Sequence, residues 1–207
     1  MEILERIQAG TQYRSMMLEA HDDKRMIVEG YAATFNQRYR LYDSEQLVIL
    51  EQIDSRAFDK TNLSDVILQY NHEGRVFART RNKTLQVTPN ARGLFIRADL
   101  SGTAEGRKLY QEIKGGYTDR MSFGFTVAED KTEKISDYPR TYLRTITRID
   151  KLFDVSAVSI PANDYTEISA RAFTDEILGK EASAKAAAEQ RERQKKKIKI
   201  MIESAGK

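Results

Sequence analysis

Large apolar side chains alternate with small or polar ones along residues 120–127. Met121, Phe123, Phe125 and Val127 fall on one face; Ser122, Gly124 and Thr126 fall on the other. That period of two predicts a strand with one face in a core. β-like stretches recur upstream over residues 25–35, 47–53, 66–70, 75–79, 83–88 and 93–100, with turn material at Asn82, Pro89-Asn90 and Gly93. A helix then follows: Thr103 is suited to cap it, Leu109 and Ile113 share a face, and Gly115-Gly116 stop it. Residues 56–60 have the composition of a shorter helical turn. Downstream, residues 138–149 and 151–160 each read as a strand, the second ended by Pro161. The charged segment 129–137 between them and the first predicted strand reads as an exposed loop. The N-terminal stretch has no clean period and reads as a flexible lead-in or an edge strand.

Many short strands with one or two inserted helices predict a mixed α/β, β-rich fold: a closed or strongly curved β-barrel with helices packed outside. From Thr174 onward the chain is rich in Ala, Glu, Lys, Arg and Gln and contains no proline. Its propensity is helical, but its apolar spacing is poor, so a continuous helix of about 40 Å would have little to bury. The organisation expected is therefore a lead-in over 1–24, a folded body over 25–173 and a basic helical or flexible tail over 174–207. That tail is either a solvated helix or a docking segment.

Composition narrows the chemistry. With 207 residues, 40% hydrophobic and 31% charged, the chain suits one soluble domain with a true core. It has no cysteine and two histidines, which leaves no thiol nucleophile and makes a zinc site a poor expectation. No cofactor is expected. No run of apolar residues is long enough to span a membrane, and the N-terminus has no secretory pattern, so an intracellular protein is expected. The formal charge of +3 divides unevenly. Nine Lys or Arg and four Glu leave residues 180–207 at +5 and the remainder at −2. The basic balance belongs to the tail, and Lys195-Lys196-Lys197 on an acidic body makes a poor nucleic-acid footprint.

Candidate chemistry starts at Ser122. Gly124, two residues away on the same face, removes a side chain beside the hydroxyl. A serine attacks only when a base takes its proton, and only two histidines are available. His72 ends an apolar strand where a turn begins, a place from which a side chain can project into a cleft. His21, in His21-Asp22-Asp23-Lys24, reads as solvated loop. A carboxylate should orient the imidazole. Asp154 is the best-placed candidate, being charged within the apolar run Leu152-Phe153-Asp154-Val155-Ser156-Ala157-Val158, where burial would need a partner. Asp119, Asp137 and Asp150 compete from poorer settings.

The motif Arg120-Met121-Ser122-Phe123-Gly124-Phe125 resembles the nucleophile segment of the tailed-bacteriophage prohead maturation proteases. Three other landmarks resemble that family in the same order. They are the opening strand Val28-Glu29-Gly30-Tyr31-Ala32-Ala33-Thr34-Phe35-Asn36, the histidine segment Asn71-His72-Glu73, and the closing strand from Phe153 through Ile160-Pro161-Ala162-Asn163. The resemblance covers residues 25–172. Two departures stand out: Glu73 where the family commonly has Asp, and Asp154 where Glu is the commoner acid. The resemblance implies an assemblin-like fold, a β-barrel surrounded by helices. It also implies a serine endopeptidase with Ser122 as nucleophile, His72 as general base and Asp154 as orienting acid.

The implied substrates are scaffolding protein or the scaffold-like part of the major capsid protein, and the chain itself. The implied place is the interior of the immature capsid in the host cytoplasm, with self-association possible and no membrane involved. The loop after Pro161 is a candidate source of oxyanion donors. The competing expectation is a catalytically silent capsid-assembly or scaffolding module acting through its helical tail.

Overall fold

The computed structural model describes residues 11–158 and 163–205. Its strands are β1 (Thr11–Asp22), β2 (Ile27–Thr34), β3 (Tyr39–Asp43), β4 (Leu47–Ile53), β5 (Ile67–Tyr70), β6 (Glu73–Arg79), β7 (Leu85–Pro89), β8 (Gly93–Asp99), β9 (Arg120–Asp137) and β10 (Arg140–Val158). Helix α1 (Ala104–Lys114) lies between β8 and β9, and α2 (Asn163–Ala205) follows β10. All ten strands join one sheet in the order β3-β4-β10-β9-β1-β2-β8-β7, with β5 paired to β10 and β6 paired to β5.

The closed barrel expected from the sequence is not formed. The path ends in two separate edges, β3 and β7, which do not pair with each other among the described residues. Both edges are chemically unsuited to closure. Arg40, Tyr42 and Asp43 are exposed on β3; Gln86, Thr88 and Pro89 are exposed on β7. Charge and proline are what keep an open edge from recruiting another strand.

Strand length also departs from expectation at the β9–β10 hairpin. The segment 129–137 is exposed, as its charge requires, yet it continues β9. It is paired to residues 140–148 of β10, and among the described residues β1 flanks β9 as far as Thr126. The stretches 138–149 and 151–160 belong to one strand through Val158, because Asp150 falls at a register shift between Ile149 and Lys151. A bulge interrupts the pattern without ending the strand. Residues 11–22, legible only as a lead-in or edge strand, supply β1, which is hydrogen-bonded to β9 on one side and β2 on the other. Residues 56–60 form successive turns, with Ala57 N bonded to Asp54 O and Asp59 N to Arg56 O.

Other elements match their local code. β4 alternates buried and half-buried residues over its whole length, and it lies parallel to the first half of β10. In α1, Thr103 accepts from Gly106 N at 2.9 Å, and Leu109, Tyr110 and Ile113 form the buried face. The core gathers Val28, Leu94, Ile96, Leu100, Met121, Phe123, Phe125, Leu152 and Val155. Phe123 and Phe125 stack with ring centroids 4.8 Å apart. Each such ring contributes about 1.5–3 kcal/mol by leaving water, which anchors the strand whose other face carries Ser122.

The chain divides into two compact units, Met1–Ile168 and Ser169–Lys207. Within the second, every side chain described over residues 182–198 is exposed. Among the described residues no helix is long and apolar enough to cross a membrane.

Candidate active site

The hairpin joining β5 to β6 has two residues in its loop, because Tyr70 pairs with Glu73. Both loop residues have positive φ, 49° at Asn71 and 63° at His72. Two successive positive φ values define the tight turn that best matches strand twist. Asparagine is at home there; histidine is less so, and a side chain held in that region is a mark of local constraint. The turn is tied down by Asn71 N donating to Ala157 O at 2.9 Å. Its geometry folds the His72 ring inward, and only 1% of that side chain is exposed.

Inside, Nδ1 of His72 donates to Oδ1 of Asp154 at 2.6 Å. Asp154 is completely buried, a costly position for a carboxylate without donors. A second donor is supplied by its own strand: Ser156 Oγ donates to the same Oδ1 at 2.9 Å. With Nδ1 carrying the hydrogen, the neutral imidazole presents its lone pair at Nε2, the arrangement a general base needs.

Ser122 sits on the neighbouring strand. Strand β9 pairs Ser122 with Ser156 and Gly124 with Asp154. Ser122, Gly124, Asp154 and Ser156 therefore share one face, opposite Met121, Phe123, Val155 and Ala157 in the core. Ser122 is the diagonal neighbour of Asp154, roughly 7–8 Å away by ordinary sheet geometry. Its hydroxyl is buried and has no hydrogen-bond partner among the described residues. Gly124 shares the face of Ser122, two residues along, and lies directly opposite Asp154.

His72 and Asp154 are thus brought into contact, with Ser122 on the adjacent strand and bonded to neither. The other candidates stand apart. Asp119, Asp137 and Asp150 are exposed, and Lys134 beside Asp137 holds its carboxyl below the usual range. His21 lies near the end of β1 rather than in a loop; it is 57% exposed and 3.3 Å from Glu29. The segment 159–162, including Pro161 and the expected oxyanion donors, lies outside the described residues. Among the described residues no three His, Asp or Glu side chains gather as a metal site requires.

Two polar residues of the site were not anticipated. Ser156 is one. Gln69 is the other: it pairs with Ser156 across β5 and β10, is buried, and has its Oε1 without a hydrogen-bond partner among the described residues. The available signal was their small or polar character inside otherwise apolar strands.

The hairpin is braced at its far end. Arg79 donates to Asp65 through Nε at 2.6 Å and Nη2 at 2.7 Å, and Arg81 adds a third bond at 2.8 Å. The bonds from Arg79 and the positive charges around it hold the Asp65 carboxyl below the ordinary range, against a smaller opposing effect of burial.

No curated protein and no solved structure matches the chain. A family model described as caudovirus prohead serine protease matches residues 13–181, a span that holds β9, β10, the His72 hairpin and most of β1. The match covers well over half of the sequence, and the chain belongs to the caudovirus prohead serine protease family.

Proposed function

We propose that the protein is a serine endopeptidase of capsid maturation in which Ser122 is the nucleophile, His72 the general base and Asp154 the orienting acid. The observation that carries this reading is the buried 2.6 Å bond between His72 and Asp154, with Ser122 diagonal to that acid on the next strand. Ser122 Oγ attacks a peptide carbonyl while Nε2 of His72 takes its proton. Asp154 keeps the imidazole in the productive tautomer and stabilises the imidazolium. The tetrahedral intermediate collapses as Nε2 returns the proton to the leaving amine, leaving an acyl-enzyme. Water, deprotonated by the same nitrogen, then releases the acyl product. Ser122 and His72 are buried, so the peptide reaches them in a conformation that uncovers this face.

The substrate proposed is scaffolding protein, or the scaffold-like part of the major capsid protein, within the assembling head in the host cytoplasm, a reading supported by membership of the family. Self-cleavage belongs to the same proposal. The body over residues 25–173 carries the chemistry, assisted by β1, and the basic tail over 174–207 docks the enzyme on its assembly partner or is removed on activation. Phage-encoded capsid precursor is co-expressed with the wild type or with Ser122→Ala, and intact masses of both chains are measured. Truncated capsid precursor, or loss of terminal mass from the protease, is expected with the wild type alone. Identical trimming with both, or none with either in assembled heads, overturns the proposal; the second outcome favours a silent scaffolding module.

A further inference from the structure

We infer that Ser156 is a positioning residue for the reaction: its hydroxyl fixes the Asp154 carboxylate on which His72 rests. The inference deepens the reading of Ser122, His72 and Asp154 as a triad and depends on it. Ser156 and Ser122 stand directly opposite one another across β9 and β10, and both are completely buried. Their hydroxyls differ in what they touch. Ser156 Oγ donates to Asp154 Oδ1 at 2.9 Å, whereas Ser122 Oγ has no hydrogen-bond partner among the described residues.

That difference separates their roles. The proton of Ser156 points at a carboxylate, a base about 2.5 pKa units weaker than imidazole by ordinary values. Such a base is poorly matched to take a serine proton, so Ser156 is not activated for attack. What its hydroxyl does instead is hold the acid. Oδ1 receives two donors, Ser156 Oγ from within the strand and His72 Nδ1 from the β5–β6 turn. Two donors on one oxygen restrict rotation of the carboxylate, and the ring bonded to it is restricted in turn. Val155, Ala157 and Val158 around Ser156 are all buried. A hydroxyl in that apolar run is unfavourable unless it is bonded, and the bond it makes is to the acid.

The full-length chain is treated with a fluorophosphonate, and the adduct on Ser122 is timed across probe concentrations for wild type, Ser156→Ala and Ser156→Thr. Removing one hydrogen bond to a charged group should slow the saturating rate roughly 10- to 100-fold. The half-saturating concentration and the thermal midpoint should stay near wild type, and Ser156→Thr should restore most of the rate. A second readout is the downfield proton resonance of His72 Nδ1–H, which Ser156→Ala should shift and Ser122→Ala should not. Wild-type labelling rates in Ser156→Ala with an unmoved resonance overturn the inference, as does a loss of rate fully explained by loss of folded protein. An adduct mapped to Ser156 overturns it as well. A wild type that takes no adduct on Ser122 removes only the nucleophile reading; the resonance then still decides whether Ser156 holds the pair.

Discussion

Strand β10 carries two buried polar clusters, ten positions apart, and they are built on opposite principles. Near its start, Arg144 reaches Glu51 Oε2 at 2.9 Å and also bonds Asp130, while Tyr39 OH donates to Glu51 Oε1 at 2.7 Å. Charges there meet opposite charges, so the cluster acts as a clamp between β3, β4, β9 and β10. Near its end, Asp154 takes donors from His72 and Ser156, while the hydroxyl of Ser122 on the facing strand is left unbonded among the described residues. An unsatisfied buried hydroxyl is a cost to folding. The cluster that carries that cost is the one proposed for chemistry, and the one that pairs its charges serves stability. Substitutions in the two clusters should therefore move different observables.

The largest separation is expected at the site. His72→Ala should slow acylation of Ser122 on the order of 10^4- to 10^6-fold, because members of such a unit fail together. Asp154→Asn should cost about 10^4-fold by reversing the favoured tautomer. Neither should lower the thermal midpoint as much as breaking the clamp, and relief of positive φ at residue 72 is not expected from alanine, which keeps a Cβ. Timed fluorophosphonate labelling beside thermal melts measures both effects. Near-normal labelling in Asp154→Asn would move the third role to another residue.

The clamp should behave in the converse way. Arg144→Met removes the guanidinium that meets the fully buried carboxylate of Glu51 at 2.9 Å. The expected loss is about 3–5 kcal/mol, or roughly 6–20 °C in Tm. Pairing it with Glu51→Leu should recover most of that loss, since a buried ion pair is often matched by an apolar pair of similar volume. The labelling rate per folded molecule should remain that of wild type throughout. If the double variant melts as low as the single one, the clamp contributes something other than charge pairing.

This division also explains what the sequence could reveal. An apolar run of strand length marked β4, and alternation marked the face of β9 that carries Ser122, because each has one face in the core. The cap and stop residues of α1 are local signals and were readable for that reason. β1 was not, since Met16-Met17-Leu18 are three successive apolar residues in which only the long-range pairing to β9 and β2 sets the faces. The far half of β9 has a single large apolar residue, the exposed Ile135, and among the described residues only β10 covers it. An open sheet and a closed one have the same local alternation, so closure could not be read from period alone. At the candidate site, His72 stood out as one of two histidines, Asp154 as a charge inside an apolar run, and Ser122 as a hydroxyl beside Gly124 on an alternating strand. Ser156 is a common residue in a strand, and only its bond to Asp154 gives it meaning.

The smallest effect sharpens the comparison from a third place, the brace behind the His72 turn. Asp65 is bonded by both Arg79 and Arg81, and those contacts lower its affinity for a proton relative to the unfolded chain. A carboxylate with a depressed pKa contributes stability that is fully present above its unfolded value of about 3.9. That contribution is lost as pH falls through the lower folded value. The thermal midpoint of the wild type should therefore decline from about pH 4 downward, and part of that decline should be missing in Asp65→Asn. At neutral pH the same variant should melt slightly lower than wild type, in proportion to the ion pairs it gives up. The effect on labelling distinguishes a brace from a mere surface contact. If the turn owes its aim to Asp65, the variant should slow acylation severalfold without changing probe affinity, even where the melt is nearly unchanged. An unaltered rate would mean that the Asn71–Ala157 bond and the Asp154 contact hold His72 by themselves.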